Sequence, residues 1–140
     1  MKMTNAQKIF HEFAESILTH DVARFAELFD DQAVLEYPFA PAGYPQSLDG
    51  KETIREYMEK FPELIRISRF SEPEIHEDAN SNVIVFEFTC EATVPATGKP
   101  YNQTYISVIH LKNGKIARYK DYWNPLVVLD SVGESNPLVK

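Results

Sequence analysis

The segment 105–126, YISVIHLKNGKIARYKDYWNPL, decides how this chain folds. Two runs rich in β-branched and aromatic residues flank Asn113-Gly114, a pair suited to a two-residue type I′ turn. The runs 101–112 and 115–124 are therefore expected to form an antiparallel hairpin. Unbroken alternation from that turn puts Lys112 opposite Lys115, His110 opposite Ala117, Val108 opposite Tyr119, Ile106 opposite Asp121 and Thr104 opposite Trp123 on one face. The other face then carries Leu111 with Ile116, Ile109 with Arg118, Ser107 with Lys120 and Tyr105 with Tyr122. The first face is apolar apart from a few points, so helices are expected to cover it. Asp121 would then project between helices and sheet. A carboxylate in such surroundings is costly unless it is paired, hydrogen-bonded or protonated, and that cost points to a pocket.

Upstream, Thr4 and Gln7 stand in capping-box spacing, and Ile9, Phe10, Phe13, Ala14, Ile17 and Leu18 recur at helical period, predicting a helix over 5–20. Asp21 can cap a second, shorter helix that buries Val22, Phe25, Ala26 and Phe29. The period then changes to two, with Ala33, Leu35, Tyr37 and Phe39 on one face of a strand over 33–39. The Pro- and Gly-containing stretch APAGYPQSLDG reads as a loop, and KETIREYMEKF as a third helix. Residues 65–77 form an irregular strand and 83–94 a strong one. Asn124-Pro125 opens a last short helix that Gly133 ends, and 134–140 is expected to be a loose tail. Helices followed by antiparallel strands define an α+β chain.

With 140 residues, the chain is long enough for one domain with a core of its own. Its formal charge of −7 disfavours nucleic acid or an anionic membrane as the main partner, since each requires a basic patch. The lone Cys90 has no internal disulfide partner, and no Cys/His cluster has zinc spacing, so neither metal nor cofactor is expected. The polar N-terminus and the lack of any membrane-length apolar run suggest a cytoplasmic protein.

Among polar residues, Asp121 has two readings, a functional carboxyl or a structural one hydrogen-bonded to a tyrosine or a loop. Tyr37, on an apolar strand face, is either core or a ligand donor across the cavity. His76, in EIHED, reads as a surface residue, and His11 with Glu15 as a solvated helical pair. The face bearing Tyr105, Ile109, Leu111 and Tyr122 is too apolar for ordinary solvent contact, which suggests a homodimer.

The element order, with FDDQAVLEYPF, LDGKETIREYM and the hairpin segment, resembles the nuclear-transport-factor-2-like superfamily, in particular its SnoaL-like and ketosteroid-isomerase-like branch. The stretch GKPYNQTYISVIHLKNGKIARYKDYWNPLVVLDSVG is similar to the C-terminal part of the phenazine-biosynthesis A/B proteins. The resemblance implies one SnoaL-like domain over 1–133, built as a cone-shaped roll of N-terminal helices packed in a curved antiparallel sheet. It also implies a deep pocket inside the cone and a dimer through the outer face of the sheet. Asp121 falls where the phenazine proteins carry an acid/base Glu and where limonene-epoxide-hydrolase-like members carry an Asp. The strand that supplies the ketosteroid isomerase base reads LEYP here, with Tyr37 at the base's position. DYWNP departs from the DYFDP of many relatives at Asn124.

The expected function is therefore a small, cofactor-free isomerase, cyclase or condensing enzyme acting on an apolar organic molecule. Asp121 would move the proton and Tyr37 would donate a hydrogen bond to a carbonyl or enolate oxygen. Trp123, Tyr119, Tyr57, Ile106 and Val108 would line the pocket. The alternative is a ligand-binding or dimerisation module of the same fold, with Asp121 satisfied by Tyr37. An open cavity with Asp121 at its wall favours the first, and a sealed core the second.

Overall fold

In the computed structural model, which describes residues 2–80, 82–133, 136 and 138, the decisive turn forms as its residues dictate. Asn113 and Gly114 adopt φ of 51° and 78°, the left-handed conformation that a type I′ turn requires. The strands it joins are β6, Gln103–Lys112, and β7, Lys115–Trp123.

Their register corrects the sequence-based expectation. Lys112 faces Lys115 and Leu111 faces Ile116, but His110 then faces Arg118, so Ala117 is an extra residue bulged out of β7. Beyond the bulge, Ile109 pairs with Tyr119, Val108 with Lys120, Ser107 with Asp121 and Tyr105 with Trp123. The one-residue shift reverses every inward and outward assignment on β6. Tyr105, Ser107 and Ile109 are buried, while Ile106 is exposed. The expected pairing of Val108 with Tyr119 is therefore wrong, and so is the apolar outer face expected from Tyr105 and Ile109. The cause is the spacing of Ile116 and Tyr119. Both are buried although three positions apart, and only a bulge lets one strand turn both to the same side.

Five further strands complete the sheet: β1 Phe29–Glu36, β2 Ser47–Asp49, β3 Arg66–Phe70, β4 Glu74–Glu77 and β5 Val83–Thr93. Their order is β2-β1-β7-β6-β5-β3, with β4 also on β5. The irregular strand expected over 65–77 is thus two strands, interrupted at Ser71-Glu72-Pro73, which share one edge of the long β5. β2 lies within the stretch read as a loop. β3 to β7 are antiparallel, but β1 joins β7 in parallel, so the curved, unclosed sheet is mixed.

Helices α1 (Asn5–Leu18), α2 (Val22–Ala26) and α3 (Lys51–Leu64) precede or interrupt the strands as expected, and α4 (Pro125–Ser131) follows β7. Thr4 and Gln7 cap α1 reciprocally, and the Asn124 side chain caps α4 through Leu126 N–H. Phe10 of α1 meets Phe86 and Phe88 of β5 edge-on, with ring centres 5.2 and 5.0 Å apart. Such contacts seat the helices on the inner face, where the core lies. No helix among the described residues is long and apolar enough to cross a membrane.

Candidate active site

Helices and sheet do not close completely on one another. Between them lies a recess of about 820 Å³ including its mouth, within which the centre of a water molecule can move through about 90 Å³. Its walls are aromatic and aliphatic side chains, with tyrosine hydroxyls, Asp121 and Asn136 as the polar points. No Lys, Arg or His lines it among the described residues.

Asp121 reaches this recess from the middle of β7, between the inward-facing Tyr119 and Trp123. Across the strands its neighbours are Ser107 on β6 and, at the end of β1, Tyr37. The parallel register sets Leu35 beside Tyr119 and Glu36 beside Lys120, so one further step brings Tyr37 level with Asp121. Tyr37 thus stands beside Asp121 rather than across the cavity. A parallel neighbour of β7, not an opposing wall, carries it. Its ring lies 6.0 Å from that of Trp123.

Neither neighbour satisfies the carboxyl. Ser107 Oγ is 2.7 Å from the Tyr119 hydroxyl, and Asp121 Oδ1 is buried without any hydrogen-bond partner. Burial away from water pushes the Asp121 carboxyl up to about 8. At neutral pH it is therefore mostly a neutral acid that can donate a proton. Once ionised, it is a base strong enough to accept one. Tyr37 is held well above the ordinary phenol range by burial first, then by the nearby Tyr57 and Asp121. Its hydroxyl has no hydrogen bond to the described residues, which leaves it free to donate into the cavity.

Other polar groups are engaged with the protein. The Tyr57 hydroxyl accepts a hydrogen bond from Asn136 Nδ2 at 2.6 Å. Gln103 Nε2 donates to the Tyr101 hydroxyl, 3.3 Å, and to Asn124 O, 3.0 Å.

Of the residues named from sequence, Asp121, Tyr37, Trp123, Tyr119 and Tyr57 all line the recess. Ile106 and Val108 do not. The Ala117 bulge turns them to the outer face of the sheet, and Tyr105 lines the cavity instead. Sequence reasoning also missed Asn136, in the stretch expected to be a loose tail. Most of 134–140 lies outside the described residues, but Asn136 is 1% exposed and lines the recess. No periodic pattern could have revealed it, because one side chain in an irregular segment has no period. The spacing of Ile116 and Tyr119 could have revealed the bulge. Elsewhere, Glu74, His76 and Glu87 form an exposed cluster on β4 and β5. His76 Nε2 lies 2.8 Å from Glu87, at the surface as expected.

A curved sheet around an aromatic recess, with one orphaned carboxyl oxygen in its wall, is the architecture of the nuclear-transport-factor-2-like fold. The SnoaL-like domain model matches residues 10–119, and the chain belongs to that family. It is 42% identical over 130 residues to the uncharacterised protein YesE of Bacillus subtilis, spanning 93% of this chain and 88% of that one. An uncharacterised PhzA/B-like protein of Pseudomonas aeruginosa is 33% identical over 129 residues, covering 92% and 91%. A crystal structure from Bacillus subtilis, provisionally assigned as an isomerase, is 42% identical and superposes with a TM-score of 0.88 over 94% of each chain.

Proposed function

We propose that this protein is a general acid/base enzyme of the isomerase, cyclase or condensing type, acting on an uncharged, largely apolar molecule that carries a carbonyl group. The observation that carries this reading is the Asp121 carboxyl. Its Oδ1 is buried without a partner, it faces the recess, and desolvation pushes its pKa up to about 8. A structural carboxyl is held by hydrogen bonds and normally keeps a low pKa, whereas a proton-transferring one needs a pKa near the working pH. The cation-free wall supports an uncharged ligand, because burying an anion beside Asp121 would go uncompensated. The 42%-identical structure provisionally assigned as an isomerase agrees in kind.

In this reading, Asp121 in its ionised form removes a proton from the carbon next to the carbonyl. Tyr37 donates a hydrogen bond to the oxygen as negative charge develops there. Asp121, now protonated, returns the proton at the same or another position. Trp123, Tyr119 and Tyr105 hold the apolar part of the ligand by ring contacts.

The reading includes a homodimer through the outer face of the sheet, now the face of Ile106, Val108 and Tyr122. Ile106 is 41% exposed and Phe39 58%, with the Phe39 ring edge-on to Tyr122 at 5.3 Å. Apolar area of this kind favours cover by a second copy.

A simple ketone tests the chemistry. In D2O the methyl protons of 2-acetonaphthone should exchange for deuterium faster with the protein than in buffer, as read by proton NMR. Because the ionised carboxyl is the base, the rate should climb with pH and level off above about 8. Asp121→Asn should remove the acceleration. Exchange no faster than buffer while the ketone is bound would defeat the acid/base reading and leave a binding module.

A further inference from the structure

We propose that Tyr57 is a second tyrosine donor to the ligand's oxygen, and that Asn136 is the positioning residue that turns the Tyr57 hydroxyl proton into the cavity. The inference rests on the acid/base reading above and names the group that the site recognises.

The direction of the Asn136–Tyr57 bond follows from a third atom. Leu138 N–H can only donate, and it reaches Asn136 Oδ1 at 2.8 Å. That contact assigns the oxygen end of the amide, so the end facing Tyr57 at 2.6 Å is Nδ2. An amide nitrogen donates and does not accept. The Tyr57 oxygen is therefore the acceptor, and its own proton must point elsewhere. Tyr57 and Asn136 both line the recess, so a proton turned away from Asn136 has the cavity open to it. Tyr37 lines the same recess, so both phenols face one cavity.

Asn136 is held in place from more than one side. Its backbone N–H donates to Gly43 O at 3.3 Å, and the adjacent Tyr44 hydroxyl donates to Gly133 O at 2.7 Å. Gly133 and Asn136 are thus both tied to the loop before β2. By contrast, the Tyr119 hydroxyl is paired with Ser107 and is not free in the same way.

Tyr37 and Tyr57 then both present donors to the cavity, with no cation among the described residues that line it. Such a set recognises an acceptor oxygen without formal charge. A ketone or quinone carbonyl on an apolar ring fits, and a carboxylate or phosphate does not.

The test compares 2-acetonaphthone with 2-ethylnaphthalene, which share a shape and differ in the carbonyl oxygen. Trp123 is the chain's single tryptophan and lines the recess, so its quenching reports occupancy by either probe. The wild type should prefer the ketone. Tyr57→Phe and Asn136→Leu should each reduce that preference roughly 3- to 10-fold, the range of one hydrogen bond. Hydrocarbon affinity should stay within about twofold. The double variant should fall no further than Tyr57→Phe alone, because Asn136 acts through Tyr57. Asn136→Ala serves where Asn136→Leu does not fold.

An unchanged ketone preference in Tyr57→Phe overturns the proposal, as does an additive loss in the double variant. Equal weakening of both probes in the Asn136 variants reduces Asn136 to packing and also overturns it. A wild type indifferent to the carbonyl defeats the donor assignment. A wild type that takes up neither probe defeats the small-molecule reading itself.

Discussion

Ser107 stands directly opposite Asp121 across the β6–β7 pair, yet its hydroxyl is engaged with Tyr119, 2.7 Å away. The side chain paired with Asp121 across the strands is thus committed to another partner. Asp121 keeps an orphaned oxygen in an apolar wall, and that arrangement costs stability. An unmet polar group of this sort is what the proposed acid/base role would require.

The cost has a pH signature. In the folded chain Asp121 holds its proton up to about pH 8, whereas in the unfolded chain it releases it near the ordinary value of 3.8. Between those values the folded state binds the extra proton, so stability falls as pH rises through that window and levels off above it. By linkage, the loss at pH 7 is on the order of a few kcal/mol. Asp121→Asn has no proton to lose, so its melting temperature should exceed the wild type's at pH 8, and the gap should close towards pH 4. Parallel wild-type and variant curves across that range would contradict the assignment.

The Ser107–Tyr119 bond should behave as a buried structural contact. Both residues are almost fully buried, so Ser107→Ala strands the Tyr119 hydroxyl and should cost about 1–3 kcal/mol. Tyr119→Phe strands Ser107 by a similar amount. Because the two changes break one bond, the double variant should lose clearly less than their sum. Urea unfolding with an unchanged m-value measures each loss. Additive losses would show that the hydroxyls do not depend on each other.

The outer face carries the assembly prediction. Ile106→Asp puts a charge in the centre of the patch formed with Val108 and Tyr122, and the substituted side chain does not enter the core. Light scattering at micromolar concentration should show a dimer for the wild type and a monomer for this variant. Thermal stability of the monomer fold should change little, since surface substitutions usually stay within about 0.5 kcal/mol. A wild-type monomer under those conditions would remove the dimer from the reading.

The sequence by itself determined most of the elements and their kind, though not β2 or the break between β3 and β4. Periodicity located the helices within a few residues, and Asn113-Gly114 located the hairpin turn. Alternation along β7 put Tyr119, Asp121 and Trp123 on one face. These are local properties, set by side-chain spacing and turn stereochemistry, and they can be read from neighbours in the chain. Tertiary structure decided which residues of β6 share that face, with the spacing of Ile116 and Tyr119 as a local trace of it. The Ala117 bulge lies outside simple alternation, and it moved Ile106 and Val108 out and Tyr105 and Ser107 in. Tertiary structure also set Tyr37 beside Asp121, through a parallel pairing of strands some eighty residues apart. It also brought Asn136 to Tyr57, across a separation of 79 residues. Contacts of that range depend on how the sheet curves and where the chain returns. The energy that selects them comes from packing the whole core, which no local pattern records.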